Sequence, residues 1–193
     1  GDAGSATALE AVAAGGFASH FGLFSDGTGA EALLMKGGGF RDRFPADPRD
    51  LYVRMDGAGV FNFTIKRVPP LIQDTLAAAA LDVQDVDAYI FHQSNRFIMK
   101  HLIKKCGLPE DRVPFTLEDT GNCGGPSVPV TLTRALAERQ RAQAQDLRVM
   151  LLGYGVGLSW ASAVVQLDAH AVLMHGVSAS DDTPQDSNHE VAP

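Results

Sequence analysis

Only two cysteines, Cys106 and Cys123, occur in this 193-residue chain. Their spacing supports neither a disulfide framework nor a cysteine-rich metal site, so a reducing, cytoplasmic setting is expected and no metal is called for. Long apolar runs are also missing: no stretch approaches the roughly 20 residues that a membrane-spanning helix needs. The first residues do not read as a signal peptide, and no membrane partner is expected. Cations are scarce, with 16 Lys and Arg against 23 Asp and Glu. Nucleic-acid binding needs cations clustered along one face, so that partner is not expected either. Residues 168–193 hold Asp168, Asp181, Asp182, Asp186 and Glu190 but no Lys or Arg. Those five acids account for most of the net charge of −7 and leave the remainder at −2. This acidic extension, rich in Ser, Asp, Pro and Asn, reads as solvated, with a disordered second half.

What is present is ordinary for one folded domain: 45% hydrophobic and 20% charged residues, in a chain long enough to bury one core. Strands are expected over 4–13 and 17–25, around Gly15-Gly16. From Lys36 to Asp50 a glycine- and proline-rich excursion is expected to line a ligand entrance. Residues 57–80 look helical, with a kink or restart expected at Pro69-Pro70. Val86 to Phe91 is a short apolar strand that ends on His92. Asn95 to Cys106 is an amphipathic helix, with Ile98, Leu102 and Ile103 on one stripe and Arg96, Lys100 and Lys104 on another. A further helix spans 126–143, with Leu132 and Leu136 facing inward. Strands over 148–152 and 158–167 close the pattern around a glycine-rich turn. Alternating strands and helices with glycine-rich loops at strand ends predict an α/β fold. No internal repeat is visible.

Three segments carry chemistry: Tyr89-Ile-Phe-His92-Gln-Ser-Asn95, Thr120-Gly-Asn122-Cys-Gly-Gly-Pro-Ser127 and Gly153-Tyr-Gly-Val-Gly-Leu-Ser-Trp160. The first supplies an imidazole at a strand end, the second a neutral amide on a tight loop, the third exposed backbone N–H groups. A neutral imidazole and an amide can both donate to an anionic oxygen without being neutralised themselves. Cys123, though adjacent to Asn122, reads as a small buried hydrophobe rather than a nucleophile.

These segments, with Gly1-Asp-Ala-Gly-Ser-Ala, Phe24-Ser-Asp-Gly-Thr-Gly and Met55-Asp-Gly-Ala-Gly-Val-Phe61, resemble the C-terminal half of β-ketoacyl-acyl carrier protein synthase III, of the thiolase superfamily. The resemblance runs over residues 1–167. It implies one half of a thiolase-like fold, a mixed sheet with helices on both faces, followed by the 168–193 extension. It implies decarboxylative Claisen condensation of an acyl thioester with a malonyl thioester, with His92 and Asn122 holding the enolate oxygen. The Val156 backbone N–H would serve the second oxyanion hole. Val156 stands where relatives commonly have Gly, and Tyr154 where they usually have Phe. Met55, Gly57, Phe61, Asn95 and Tyr154 would contact or orient substrate. Arg96, Lys100 and Lys104 would meet an acidic acyl carrier protein or CoA phosphates. Ala58 and Phe97 depart from the family's Asn and Arg.

Relatives carry the nucleophilic cysteine upstream of this stretch, so a separate or cleaved N-terminal half is the expected partner. By the same resemblance the complete unit would be a homodimer in fatty acid or polyketide synthesis. It would need no cofactor, with acyl-CoA and malonyl-ACP or malonyl-CoA as substrates. Two alternatives remain open here: a non-condensing acyltransferase of the same fold, and a non-catalytic partner subunit.

Overall fold

Tyr89 and Phe91 are buried on one side of a sheet, and Ala88 and Ile90, between and before them, on the other. That alternation is the period of two of a strand covered on both faces, and it organises the molecule. The computed structural model describes residues 1–9, 16–143 and 145–176. In chain order its elements are β1 (His20–Ser25), β2 (Leu33–Leu34), β3 (Arg54–Met55), α1 (Gly57–Ala78) and β4 (Ala88–Phe91). They continue with α2 (Arg96–Cys106), the single turn α3 (Leu117–Thr120), α4 (Ser127–Gln143), β5 (Leu147–Gly155) and β6 (Ser159–Leu167).

The main sheet runs β1-β6-β5-β4 and is mixed. The β4–β5 pair is parallel, with Ala88 opposite Val149 and Phe91 opposite Leu152. The β5–β6 and β1–β6 pairs are antiparallel. On one face Tyr89, Phe91, Met150, Leu152 and Val164 pack against Phe63, Val68, Leu71 and Ile72 of α1 and Met99, Leu102 and Ile103 of α2. On the other, Ala88, Ile90, Leu147 and Val149 meet Leu136 and the partly buried Val128 and Leu132 of α4. Full burial of each large aliphatic side chain contributes about 1.5–3 kcal/mol. Helices therefore cover both faces of a mixed sheet, as the α/β reading requires.

The α2 stripe of Ile98, Leu102 and Ile103 is buried and gains Met99. Asn95 Oδ1 caps this helix by accepting from Ile98 N at 2.8 Å, and Gly107 ends it in the left-handed region at φ 63, as glycine readily does. Lys104 and Lys105 in the last turn suit its negative end.

Two expectations are corrected. The two prolines do not restart α1, which is one helix from Gly57 to Ala78 with Pro69 and Pro70 inside it. Pro69 has no N–H for the Ile65 carbonyl, and Lys105 Nζ of α2 donates to that carbonyl instead, at 2.8 Å. No strand forms over residues 4–9, while 10–13 lie outside the described residues. The 36–50 excursion folds on itself, with Gly37 N donating to Asp50 O at 2.8 Å and Gly38 N to Asp42 O at 2.6 Å. The antiparallel β2–β3 pair closes it at its base. Of the acidic extension, residues 168–176 form neither helix nor strand, and 177–193 lie outside the described residues. No helix among the described residues is long and apolar enough to cross a membrane.

Candidate active site

At the C-terminal end of β4 the chain leaves the sheet on His92, whose N–H donates to Leu152 O of β5 at 2.7 Å. The next residue turns inward. Gln93 is fully buried, and its Nε2 donates to Phe91 O at 3.1 Å and Pro114 O at 3.4 Å. Its Oε1 accepts from Thr116 N at 3.0 Å. All polar atoms of that buried amide thus have partners, and they tie the His92 connector to the loop that leads to Asn122. Thr116 Oγ1 in turn meets Thr131 Oγ1 of α4 at 2.7 Å.

Asn122 is oriented by its own loop. Its Oδ1 accepts from Gly124 N at 3.0 Å, which leaves the NH₂ as the donating end. One of those hydrogens reaches toward Ser94 O at 3.5 Å, and the other is available to a ligand. Gly121 and Gly124 take φ 64 and 65, the left-handed region that lets the loop turn this sharply.

The third component is the turn between β5 and β6. Gly155 and Gly157 sit at φ 154 and 129 on either side of Val156. A Cβ on Gly157 would come within 2.5 Å of Ser159 Oγ. Val156 itself is 65% exposed.

These parts surround one cavity of about 510 Å³, lined by His92, Asn122, Gly124, Gly125, Tyr154, Val156 and a mostly apolar remainder that includes Leu23, Phe24, Leu33, Val128 and Trp160. Trp160 stacks on Phe24 with centroids 5.7 Å apart. Arg67 lies over the Trp160 ring at 5.1 Å and bonds Asp26 at 3.2 Å.

Inside this frame the imidazole of His92 meets Ser127 Oγ through Nδ1 at 2.7 Å and packs edge-to-face on Tyr154 at 5.5 Å. Burial lowers its pKa, and the Gly124 backbone pulls weakly the other way, so it is neutral near pH 7. The Tyr154 hydroxyl meets Ser94 Oγ at 3.0 Å and donates to His92 O at 3.4 Å. Burial pushes its pKa up to about 12. The site is therefore two neutral donors and a backbone turn around an apolar hollow, a set suited to an oxygen that becomes anionic.

Other expected site residues lie elsewhere. Met55, Gly57, Phe61 and Asn95 do not line the cavity. Phe61 stacks on Phe97 at 5.7 Å and meets His101 at 5.9 Å, joining α1 to α2. Met55 is 65% exposed in β3, and Asn95 spends its oxygen capping α2. Arg96 pairs with Glu118 and lies over the Phe115 ring at 5.4 Å, while Lys100 and Lys104 are exposed on the same helix. No residue of 36–50 reaches the cavity. Cys123 faces backbone carbonyls of Thr120 and Gly121, and burial pushes the Cys106 thiol up to about 11. Neither lines the cavity. Sequence reasoning missed Ser127, which reads only as a helix start, and Ser94, which occupies an unremarked place between His92 and Asn95. The serine five residues after Asn122 carried no signal that it would meet a ring 35 residues away.

Comparison with known proteins supplies the family. The family model described as 3-oxoacyl-[acyl-carrier-protein (ACP)] synthase III C terminal matches residues 76–167. The β-ketoacyl-[acyl-carrier-protein] synthase III of Rhodopirellula baltica is 33% identical over 145 residues, 74% of this chain and 41% of that protein. The Streptococcus gordonii protein of the same name is 29% identical over 144 residues, 74% of this chain and 44% of that one. The crystal structure of a 3-oxoacyl-(acyl-carrier protein) synthase from Burkholderia xenovorans LB400 superposes with a TM-score of 0.75 at 38% identity, covering 83% of this chain and 47% of that one. The chain spans less than half the length of each of these relatives. Residues 76–167 therefore match the C-terminal, thiolase-like part of the 3-oxoacyl-[acyl-carrier-protein] synthase III family.

Proposed function

We propose that this chain supplies the enolate-stabilising half of a decarboxylating condensing enzyme. In that reaction a malonyl thioester loses CO₂ to leave a thioester enolate, which attacks an acyl group held on a cysteine. His92 Nε2–H and the free Asn122 N–H donate to the enolate oxygen. The Val156 N–H faces the carbonyl oxygen of the acyl-cysteine, and the apolar wall of Leu23, Phe24, Leu33 and Trp160 receives the acyl chain. Cys106 and Cys123 do not line the cavity, so the nucleophile comes from a cysteine-bearing N-terminal half. Lys100 and Lys104, with Arg96 at the head of the helix, offer a cationic face to an acidic carrier protein or to CoA phosphates. The complete unit pairs as a homodimer, and no metal or organic cofactor takes part because the thioester is its own electron sink.

The observation that carries this reading is the convergence of His92, Asn122 and the Val156 turn on one cavity, with the imidazole held neutral by burial. The test is release of labelled CO₂ from a carboxyl-labelled malonyl thioester by the enzyme assembled with its cysteine-bearing half. Loss of one such donor costs on the order of 10²–10³ in rate, and His92→Ala and Asn122→Ala should each fall by that much. Unaltered activity in both variants would leave a scaffold subunit. Acyl transfer to an amine or alcohol without CO₂ release would mark the non-condensing acyltransferase instead.

A further inference from the structure

Ser127 opens α4 with its side chain turned back under the β4 connector. It is 1% exposed. Two groups reach its Oγ: His92 Nδ1 at 2.7 Å and, at a longer 3.4 Å, the backbone N–H of Gln93. The amide can only donate. The imidazole nitrogen is therefore the acceptor left for the hydroxyl proton, and a buried hydroxyl proton without an acceptor is costly. That accounting leaves Nδ1 carrying a lone pair and places the ring proton on Nε2. The Gly124 backbone also lies beside the ring, and its carbonyl accepts from Ser127 N at 3.1 Å.

We propose that Ser127 is a positioning residue that fixes His92 as its Nε2–H tautomer through the chain Gln93 N–H to Ser127 Oγ–H to His92 Nδ1. The inference rests on the donor role assigned above to His92. It adds the device that keeps the ring a donor toward the cavity rather than an acceptor. The same chain anchors the ring plane, since Ser127 is held by the first turn of α4 and Gln93 by its buried bonds to Phe91, Pro114 and Thr116. Such fixing of one ring nitrogen by the partner of the other is how imidazoles are commonly aimed.

The decisive measurement needs no substrate. Long-range proton–nitrogen correlation spectra of protein labelled with ¹⁵N-histidine report which ring nitrogen carries the proton, and His92→Gln assigns the His92 signals. At pH 7.5 the unaltered chain should show Nε2–H, Ser127→Ala should move His92 toward Nδ1–H or a mixture, and Ser127→Thr should keep Nε2–H. Nδ1–H in the unaltered chain, or unchanged Nε2–H in Ser127→Ala, would overturn the proposal. In the assembled enzyme Ser127→Ala should lower kcat for CO₂ release about tenfold, the equivalent of 1.36 kcal/mol, with KM little changed. The tautomer is read independently of turnover. If it follows Ser127 while His92→Ala leaves CO₂ release unaltered, the condensing reading fails and the tautomer assignment stands.

Discussion

Tyr154→Phe separates the structural use of the hydroxyl beside His92 from any part in the reaction. The residue is 9% exposed, and its hydroxyl meets Ser94 Oγ at 3.0 Å and the His92 carbonyl at 3.4 Å. With its pKa pushed up to about 12 it stays protonated, and so remains a donor, across the working pH range. Phenylalanine keeps the ring against the imidazole and removes only the oxygen. A neutral hydrogen bond contributes about 1 kcal/mol net. Tyr154→Phe should therefore lower stability by about 1 kcal/mol, and Ser94→Ala by a similar amount because it leaves the buried phenol short of a partner. Removing both partners is milder than the sum, so the double variant should show a coupling of about 0.5–1 kcal/mol. Urea unfolding of all four proteins measures this, with unchanged slopes as the control. Strict additivity would refute the pairing. Because the ring contact survives, the CO₂ release proposed for the assembled enzyme should stay within about threefold, under 1 kcal/mol of barrier. A loss of two orders of magnitude would show that the hydroxyl touches reacting atoms.

Two further outcomes are expected. Lys105→Met leaves the Ile65 carbonyl without the donor that replaces the missing Pro69 N–H, and should cost about 1 kcal/mol. In a Pro69→Ala background, where the helix makes that bond itself, the cost should disappear, as a thermal double-mutant cycle will show. For His92, burial lowers the folded pKa, so the unfolded chain takes up its proton first, near the ordinary value of about 6.5. Its contribution is therefore complete above that pH and is lost as pH falls through 6.5 toward the lower folded value. Stability measured against pH should show a limb that His92→Gln flattens, and the acid limb of kcat/KM should lie below about 6.5.

How far the sequence could be read followed the range of the interactions. The four buried residues Ala88–Phe91 ending on a histidine, and the spacing of Ile98, Leu102 and Ile103, are local patterns, and the structure keeps both. The turn around Val156 is legible because φ beyond the ordinary region demands glycine at 155 and 157. Pro69-Pro70 misled because its remedy, Lys105, lies 40 residues from Ile65. The 4–13 segment looked like a strand by composition, yet residues 4–9 find no partner to pair with among the described residues. Met55, Gly57 and Phe61 were placed by resemblance. Here the β3 pairing and the Phe61–Phe97 stack hold Met55 and Phe61 away from the cavity. Ser127 and Ser94 were illegible for a plain reason. Serine is common, and only the fold shows which one faces an imidazole or a phenol.

The position of β1 also decides how this polypeptide behaves in the laboratory. It is one of the two edge strands of the main sheet among the described residues, β4 being the other, and its sequence His20-Phe-Gly-Leu-Phe-Ser25 contains neither a formal charge nor a proline. Phe21 and Leu23 are 65% and 76% exposed, and Phe40, Phe44 and Tyr52 are exposed as well. An uncharged, apolar outer strand is a template for pairing with another chain, and natural proteins usually blunt it with lysine, proline or a cover. Handled alone at high concentration, the chain will aggregate along this edge. A lysine in place of Phe21 is the first change to make for a soluble sample, since Phe21, unlike Leu23 and Phe24, does not line the cavity.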